Sequence, residues 1–258
     1  MGLMGGYRTH GWFARHWHPE YRRPAGYLAA VRHPWPCLVF LIPLLAAYEL
    51  GVWRMSGPHG ESLRAGIELW LREWLAQAGS VPPLVIPAAV GGLLVALAMW
   101  KWSERPEGLF TTVFGIALEG VIFGLVLWTI CLNAPPILDN LGLVSSSIGG
   151  LNPQVVTYLG VGIYEEVIFR LIGFALLARL LNAALVPWIV AVPIAVVVSA
   201  AAFALAHHFV QTDPFVPSVF LMRALVGAYC AILFWLRGLG VAVGAHIVYD
   251  IVVGTPAG

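Results

Sequence analysis

Long apolar segments separated by short gaps constrain this chain more than any other feature of its sequence. A helix needs about 20 mostly apolar residues to cross the hydrocarbon core of a bilayer. The predicted segments are 34–53, 82–102, 109–132, 155–181, 185–209, 217–236 and 240–253. Only helices and closed barrels satisfy every backbone polar group in lipid. The pattern therefore predicts an all-α, polytopic transmembrane bundle of about seven hydrophobic segments.

The composition agrees with a surface covered by lipid. Hydrophobic residues make up 60% of the 258 residues and charged residues only 10%, whereas a soluble domain has about 25% charged residues. The bilayer is thus an expected partner. The formal net charge of +1 argues against nucleic acid, which requires a basic face or stripe.

The predicted domain organisation is simple. Residues 1–33 form a basic cytoplasmic or interfacial tail, and residues 34–258 form a single transmembrane helical domain with its motif-bearing core at 155–254. Residues 133–153 are rich in Pro, Gly and Asn and predict a loop. Ser62 to Ala78 places Arg64, Glu68, Arg72 and Glu73 opposite an apolar stripe, which is typical of an amphipathic helix. Such a helix lies in the membrane interface or forms a soluble cap on the bundle.

Arginine and lysine are distributed unequally between the gaps. If all seven segments cross, one side of the membrane receives the tail and Lys101, Arg105, Arg179 and Arg237. The basic residues on the other side, Arg54, Arg64 and Arg72, are balanced by acids. Because cytoplasmic loops carry an excess of basic residues, the N-terminus is predicted to be cytoplasmic. The strong preference for arginine over lysine indicates a GC-rich bacterial genome, hence a bacterial cytoplasmic membrane.

The strongest polar signal lies inside the fourth segment, where Glu165, Glu166 and Arg170 interrupt an apolar stretch. Charges inside spans are rare, costly and usually functional. Glu166 and Arg170 are four residues apart, so they share a helix face and can pair, while Glu165 points about 100° away. One such pair is equally typical of a structural lock between helices. A second, adjacent glutamate needs another explanation, and in a wet apolar cavity it can act as a general base.

Two later segments carry polar residues at helical spacing. Phe203 and His207 share one helix face, and His246 and Asp250 share another. A single histidine at the end of a span is more often an interfacial residue. Three helices that each present polar residues on one face predict a common site. Simple crossings would nevertheless place His207 and His246 at different depths, so the last segment is expected to be tilted or re-entrant, unless a boundary is off by a turn or two.

Together these residues are suited to hydrolysis of a peptide bond. A glutamate can take a proton from water as the water attacks an amide carbonyl, and nearby histidines can donate to the oxyanion that develops. Asp250 can orient His246 or help to neutralise it. The scheme requires a buried pocket of water, but no metal and no organic cofactor.

The residues resemble those of the CAAX prenyl protease type II family, also called the CPBP or ABI family of glutamic intramembrane proteases. The first motif of that family, Glu-Glu followed by three residues and Arg, is matched by Glu165, Glu166 and Arg170. The second, Phe followed by three residues and His, is matched by Phe203 and His207. The third, His followed by three residues and Asn or Asp, is matched by His246 and Asp250. The motifs occur in the order found in the family.

The resemblance implies an intramembrane endopeptidase in which Glu165 is the water-activating base. It implies that His207 and His246 support the oxyanion and that Glu166 and Arg170 form an orienting pair. Asp250 stands where the family often has Asn, and Phe203 has a supporting role. The expected substrate is a membrane protein or peptide, whether prenylated or not. No motif covers the first half of the chain.

Other catalytic classes fit the sequence less well. A zinc protease of the usual kind has two histidines four apart on one helix with a glutamate between them, and no such segment exists in the sequence. His207 and His208 are adjacent, so their rings diverge on a helix. The Gly-x-Ser-Gly of a rhomboid-like serine protease and the Gly-x-Gly-Asp of an aspartyl intramembrane protease are both missing. Cys37, Cys131 and Cys230 are scattered and are assigned to packing.

Two readings outside proteolysis remain open. A non-catalytic membrane scaffold or immunity-type protein of the same fold would keep this polar core without using it. A proton-coupled transporter would use the Glu, His and Asp residues as a relay, although no pair of broken helices recurs in matching halves. Glu49, Glu119 and Arg223 also lie in spans, where interhelical polar contacts are expected. One of the two acids pairs with Arg223 in this interpretation, or lines the cavity.

Overall fold

The fold is a bundle of helices. The computed structural model describes residues 26–55, 63–134, 155–211 and 215–254, and within these ranges it contains no strand, which confirms the all-α prediction. The helices are α1 Tyr27–Ala30, α2 Pro34–Arg54, α3 Gly66–Ala76, α4 Val85–Trp100, α5 Leu109–Asn133, α6 Val155–Glu165, a π-helix Glu166–Phe174, α7 Ala175–Ala183, α8 Trp188–Gln211, α9 Pro217–Arg237 and α10 Leu239–Gly254. A short 3₁₀ turn, Trp102–Glu104, follows α4.

The long apolar helices agree with the predicted segments. Helices α2, α5, α8 and α9 are long and apolar enough to cross a membrane, whereas α4 and α10 are apolar but shorter. The fourth predicted segment is divided into α6, the π-helix and α7. The count of seven crossings therefore stays a prediction. Most of the predicted loop at 133–153, and residues 1–25 of the predicted tail, lie outside the described residues.

The helix starts follow from local chemistry. At the N-terminus of α2, His33 accepts a hydrogen bond from the Trp35 amide at its Nδ1 (3.3 Å), and proline stands at the first helical positions. Proline suits these positions because its missing N–H would be unpaired there in any case. Helix α9 likewise begins at Pro217, and it ends before Gly238, whose φ of 88° suits a residue without a side chain.

Helix α10 lies at the centre of the bundle. Every residue from Leu239 to Ile247 is buried, although the helix is only 16 residues long. Its most extensive neighbour is α5, which approaches closely because both helices have glycine at the crossing. A Cβ placed on Gly120 would lie 3.0 Å from the Cα of Gly244. Small residues permit such close approach between membrane helices.

This crossing predicts the effect of adding one methyl group. A Cβ on Gly124 would lie 2.8 Å from the carbonyl oxygen of Ala245, and a backbone atom can move only if the helices separate. We expect Gly124→Ala to reduce the free energy of unfolding by about 1–3 kcal/mol, measured by denaturant titration in micelles. The matched control is Gly92→Ala, where nothing lies within 4 Å of the added carbon. Equal stability of the two variants would show that the crossing is looser than described.

The contacts between helix ends define two ends of the bundle. We call the end where α2 begins the proximal end; there the Arg32 Nε donates to the carbonyl of Leu236 (2.6 Å) at the end of α9, so the last residues of the predicted tail pack on the bundle. We call the opposite end, which carries α3, the distal end. There the Thr157 hydroxyl donates to the carbonyl of Leu63 (2.9 Å).

Helix α3 is attached to the bundle by the carboxylate of Glu68, which was predicted to lie on the polar side of the helix. That placement is wrong for Glu68, which is fully buried. Its carboxylate accepts hydrogen bonds from the Tyr48 hydroxyl (2.6 Å), from Arg64 (2.5 Å) and from Arg72 (2.6 Å). The side chains of Trp70 and Trp74 are instead exposed. A buried charge needs such partners, and here α2 supplies one of them.

The attachment predicts a loss of stability when the carboxylate is removed. We expect Glu68→Leu to reduce the free energy of unfolding by about 2 kcal/mol, because three donors lose their acceptor while Arg64 and Arg72 keep some contact with solvent. Glu73 is exposed on the same helix, and Glu73→Leu provides the matched control. Thermal unfolding of both variants provides the measurement. If Glu68→Leu and Glu73→Leu both kept the midpoint temperature of the wild-type chain, the proposed anchoring would be contradicted.

Candidate active site

The first motif lies where the helix changes its type. Glu165 is the last residue of α6, and Glu166 begins the π-helix. Single π-helical stretches inside longer helices occur frequently at functional sites. The change could not be predicted, because no proline or glycine marks the junction between Glu165 and Glu166. Both adjacent carboxylates contact His246.

Glu165 lies between two histidines from different helices. Its Oε1 is 3.8 Å from the Nε2 of His207, and its Oε2 is 3.8 Å from the Nε2 of His246. Both separations exceed a hydrogen bond, and a contact of this length is one that a water can bridge. The Oε2 is buried and has no hydrogen-bond partner. The arrangement thus leaves a buried acceptor close to the Nε2 atoms of two imidazoles.

Glu166 is held by an ion pair and a histidine. Its Oε1 is 3.1 Å from the Arg170 Nη1 and 2.8 Å from the His246 Nδ1. Glu166 and Arg170 are both completely buried. Arg170 also donates from Nη2 to the carbonyl of Gly227 (3.0 Å), and its guanidinium carbon lies 4.5 Å from the centre of the Phe203 ring. The predicted spacing of four residues therefore does bring the pair together.

The hydrogen bonds to each histidine fix which nitrogen faces Glu165. A carboxylate or carbonyl oxygen can only accept, so the nitrogen bonded to it carries the hydrogen. The Nδ1 of His246 donates to Glu166, and the Nδ1 of His207 donates to the carbonyl of Phe203 (2.9 Å). Both rings consequently present Nε2 to Glu165. Asp250 lies 3.6 Å from the same Nε2 of His246.

Phe203 packs the histidines into place. Its ring centre is 4.8 Å from that of His207 and 5.8 Å from that of His246. Phe203 also makes an edge contact with Phe169, with 5.5 Å between the ring centres. The structure thus brings together all seven residues that the three motifs singled out. His208 lies outside this group, where its ring stacks on that of Phe220 and meets that of Phe215 at a tilt.

Helix α9 contributes residues to the candidate site that none of the three motifs indicated. Gly227 and Cys230 are buried, and at helical spacing they share a face with Arg223. The backbone carbonyl of Gly227 binds Arg170, which no sequence pattern can indicate. The position of Arg223 in an apolar span, one turn before Gly227 on the same face, was a sequence signal that this face of α9 is polar.

The predicted pairing of Arg223 with Glu49 or Glu119 was wrong. Glu119 pairs with Arg237, whose Nε donates to Glu119 Oε2 (2.8 Å). Glu49 instead accepts from the Tyr164 hydroxyl (3.2 Å) and contacts Arg64 at 3.5 Å. Each acid therefore has another arginine as its partner.

One group of potential metal ligands overlaps the site. Ligand atoms of Glu166, Cys230 and His246 lie within 4.8 Å of one another. The same Glu166 oxygen faces the guanidinium of Arg170 at 3.1 Å, and a fixed positive charge beside a ligand opposes a second cation. The residues fit a hydrogen-bonded ion-pair network better than a metal centre.

A family model matches the part of the chain that contains the three motifs. The family model Type II CAAX prenyl endopeptidase Rce1-like matches residues 148–252, less than half of the 258-residue chain, and confirms the resemblance. The match includes the site from Glu165 to Asp250. No curated protein and no solved structure matches the chain. Together with the long apolar helices, the match identifies an integral membrane protein.

Proposed function

We propose that this chain is an intramembrane endopeptidase of the CAAX-protease-like type, which hydrolyses a peptide bond with water activated by Glu165. The observation that carries the proposal is the position of Glu165, with the Nε2 atoms of His207 and His246 each 3.8 Å from one of its oxygens. A general base must lie within hydrogen-bond reach of the proton that it takes, directly or through one water. The match to a protease family supports the reaction class.

The first step uses Glu165 and His207 to hold the water. One hydrogen of the water is donated to the Glu165 carboxylate, and the other to Nε2 of His207, which is an acceptor because Nδ1 of that ring holds the hydrogen. In this scheme His207 therefore holds the water and does not support the oxyanion, the role that the resemblance implies. The remaining lone pair is then directed at the carbonyl carbon of the substrate. As the new C–O bond forms, the proton moves to Glu165, and the carbonyl π electrons move onto oxygen.

The second step relies on His246. Its ring nitrogens lie within 3.8 Å of the carboxylates of Glu165, Glu166 and Asp250, and this setting suits a ring that carries a hydrogen on both nitrogens. Nε2 can then donate to the oxyanion while Nδ1 stays bonded to Glu166. When the intermediate collapses, the C–N bond breaks, and Glu165 returns its proton to the leaving amine.

Glu166, Arg170 and Asp250 act as positioning residues in this scheme. Arg170 fixes Glu166, and Glu166 fixes the orientation of the His246 ring. Support of this kind matters because reacting groups displaced by about 1 Å lose much of the rate. Asp250 contacts His246 from the next turn of the same helix and assists in holding its ring.

The test uses the full chain reconstituted in liposomes. Single-span peptides with cleavable tails, in prenylated and unprenylated pairs, are incubated with the protein, and the new C-termini are identified by mass spectrometry. We expect cleavage products with the wild-type chain and none above background with Glu165→Gln. Identical products with both proteins would overturn the proposed role of Glu165, and the absence of products with both would favour a scaffold. Proton flux through the liposomes without cleavage would favour a transporter.

A further inference from the structure

One face of α8 contacts the π-helix and the residue before it at three successive turns. Ser199, Phe203 and His207 are spaced four residues apart, so they lie on one face of α8. The ring of Phe203 makes its edge contact with Phe169, and His207 lies 3.8 Å from Glu165, the residue immediately before the π-helix. The third contact, that of Ser199, belongs to none of the three motifs.

The hydroxyl of Ser199 binds the backbone of the π-helix. It donates to the carbonyl oxygen of Phe169 at 3.0 Å, and only 5% of the residue is exposed. A hydroxyl inside a helix commonly bonds the carbonyl four residues earlier in the chain, as those of Thr112 and Thr129 do in α5. The Ser199 hydroxyl instead crosses to a second helix. It therefore restrains the position of α8 relative to the π-helix.

The carbonyl that Ser199 binds lies four residues after Glu165 and one residue before Arg170. A π-helix pairs each carbonyl with the N–H five residues later instead of four, and the N–H of Ala175 does bond the carbonyl of Arg170. If this stretch changed to α-helical spacing, Glu165 would rotate relative to the residues that follow by about 100°, the angle per residue of an α-helix. A restraint on the carbonyl of Phe169 therefore acts on the orientation of Glu165.

We propose that Ser199 is a positioning residue of the candidate active site, whose hydroxyl fixes α8 to the π-helix and thereby sets the separation between His207 and Glu165. The proposal rests on the proposed function for its effect on hydrolysis, and on the described contacts for the positioning itself. Ser199 lies eight residues before His207, about 12 Å along the helix axis. It therefore acts through α8 and the π-helix and not on the reacting atoms.

The hydrogen bond is tested without reference to activity. Phe169 is the only phenylalanine in the sequence that is followed by arginine, so ¹³C in phenylalanine carbonyls combined with ¹⁵N in arginine selects one peptide bond for NMR. We expect the Phe169 carbonyl resonance to move upfield in Ser199→Ala, because the carbonyl loses a donor. It should stay in place in Ser218→Ala, which removes another buried serine hydroxyl, from α9. An unmoved resonance in Ser199→Ala would overturn the proposal.

The effect on hydrolysis is tested with the reconstituted protein and a cleavable peptide. Ser199→Ala should lower kcat by about 10- to 100-fold, because a displacement of reacting groups by about 1 Å can cost about 10²-fold. KM should change little, since the variant removes no contact with the substrate. Ser218→Ala should keep the wild-type kcat.

The two measurements separate this proposal from the proposed function. A Ser199→Ala protein that shows the shifted resonance but keeps the wild-type kcat would overturn the positioning role. If the wild-type chain cleaves no peptide, the proposed function fails instead. The Phe169 resonance would then still decide whether Ser199 holds the π-helix.

Discussion

Glu165→Gln is expected to lower the rate of peptide hydrolysis by about 10²–10⁴-fold, the range that general acid–base catalysis contributes. Glutamine has nearly the same shape and can still contact both histidines, but it cannot take a proton from water. The loss should therefore appear in kcat, with little change in KM, because the substrate meets the same surface. Initial rates of the reconstituted variant on a cleavable peptide provide the measurement.

The matched control for this variant is Glu73→Gln, which removes an exposed carboxylate on α3. It should leave kcat unchanged. Thermal unfolding of Glu165→Gln should stay close to that of wild type, because the carboxylate has no hydrogen-bonded ion pair to lose. A variant that keeps its full rate would remove Glu165 from the chemistry.

Arg170→Met is expected to cause the largest loss of stability, about 3–5 kcal/mol, which is the usual result of removing one partner of a buried ion pair. Glu166 would keep its charge with His246 as its remaining partner. The carbonyl of Gly227, which accepts from Arg170 at 3.0 Å, would lose its donor. Denaturant titration in micelles provides the free energy of unfolding, and hydrolysis should fall as His246 loses its fixed orientation.

A double variant separates charge from packing. Adding Glu166→Gln to Arg170→Met removes the isolated carboxylate, so part of the lost stability should return. Activity should not return, because His246 also loses the carboxylate that fixes its Nδ1. Purely additive losses of stability would indicate that the two side chains are not energetically coupled, against the 3.1 Å contact between them.

The contacts within each motif could be predicted from spacing alone. Residues four apart on a helix are neighbours, and Glu166 with Arg170 and His246 with Asp250 do lie on common faces. That the three motif-bearing helices meet at one site was a hypothesis, because each of them carries polar residues on one face. The π-helix that begins at Glu166 could not be predicted, because the spacing of apolar residues does not distinguish a π-helical turn from an α-helical one.

The depths of His207 and His246 in the bundle could not be predicted from the sequence. Simple crossings placed His207 and His246 at different levels, and a tilted or re-entrant last segment was expected. The structure shows one continuous helix, α10, with His246 near its middle. A short helix can occupy the centre of the bundle because its neighbours, and not lipid, surround it. Glu68 is a similar case, since its burial depends on Tyr48 from a distant segment.

Isotope transfer from solvent tests the central claim most directly. In a single turnover in H₂¹⁸O, water activated by Glu165 attacks the substrate carbonyl, so the new C-terminal carboxylate of the product should carry one ¹⁸O. The proteolytic fragment of the enzyme that contains Glu165 should carry none. Appearance of ¹⁸O in that fragment would show that Glu165 itself had bonded to the substrate, and would contradict the account.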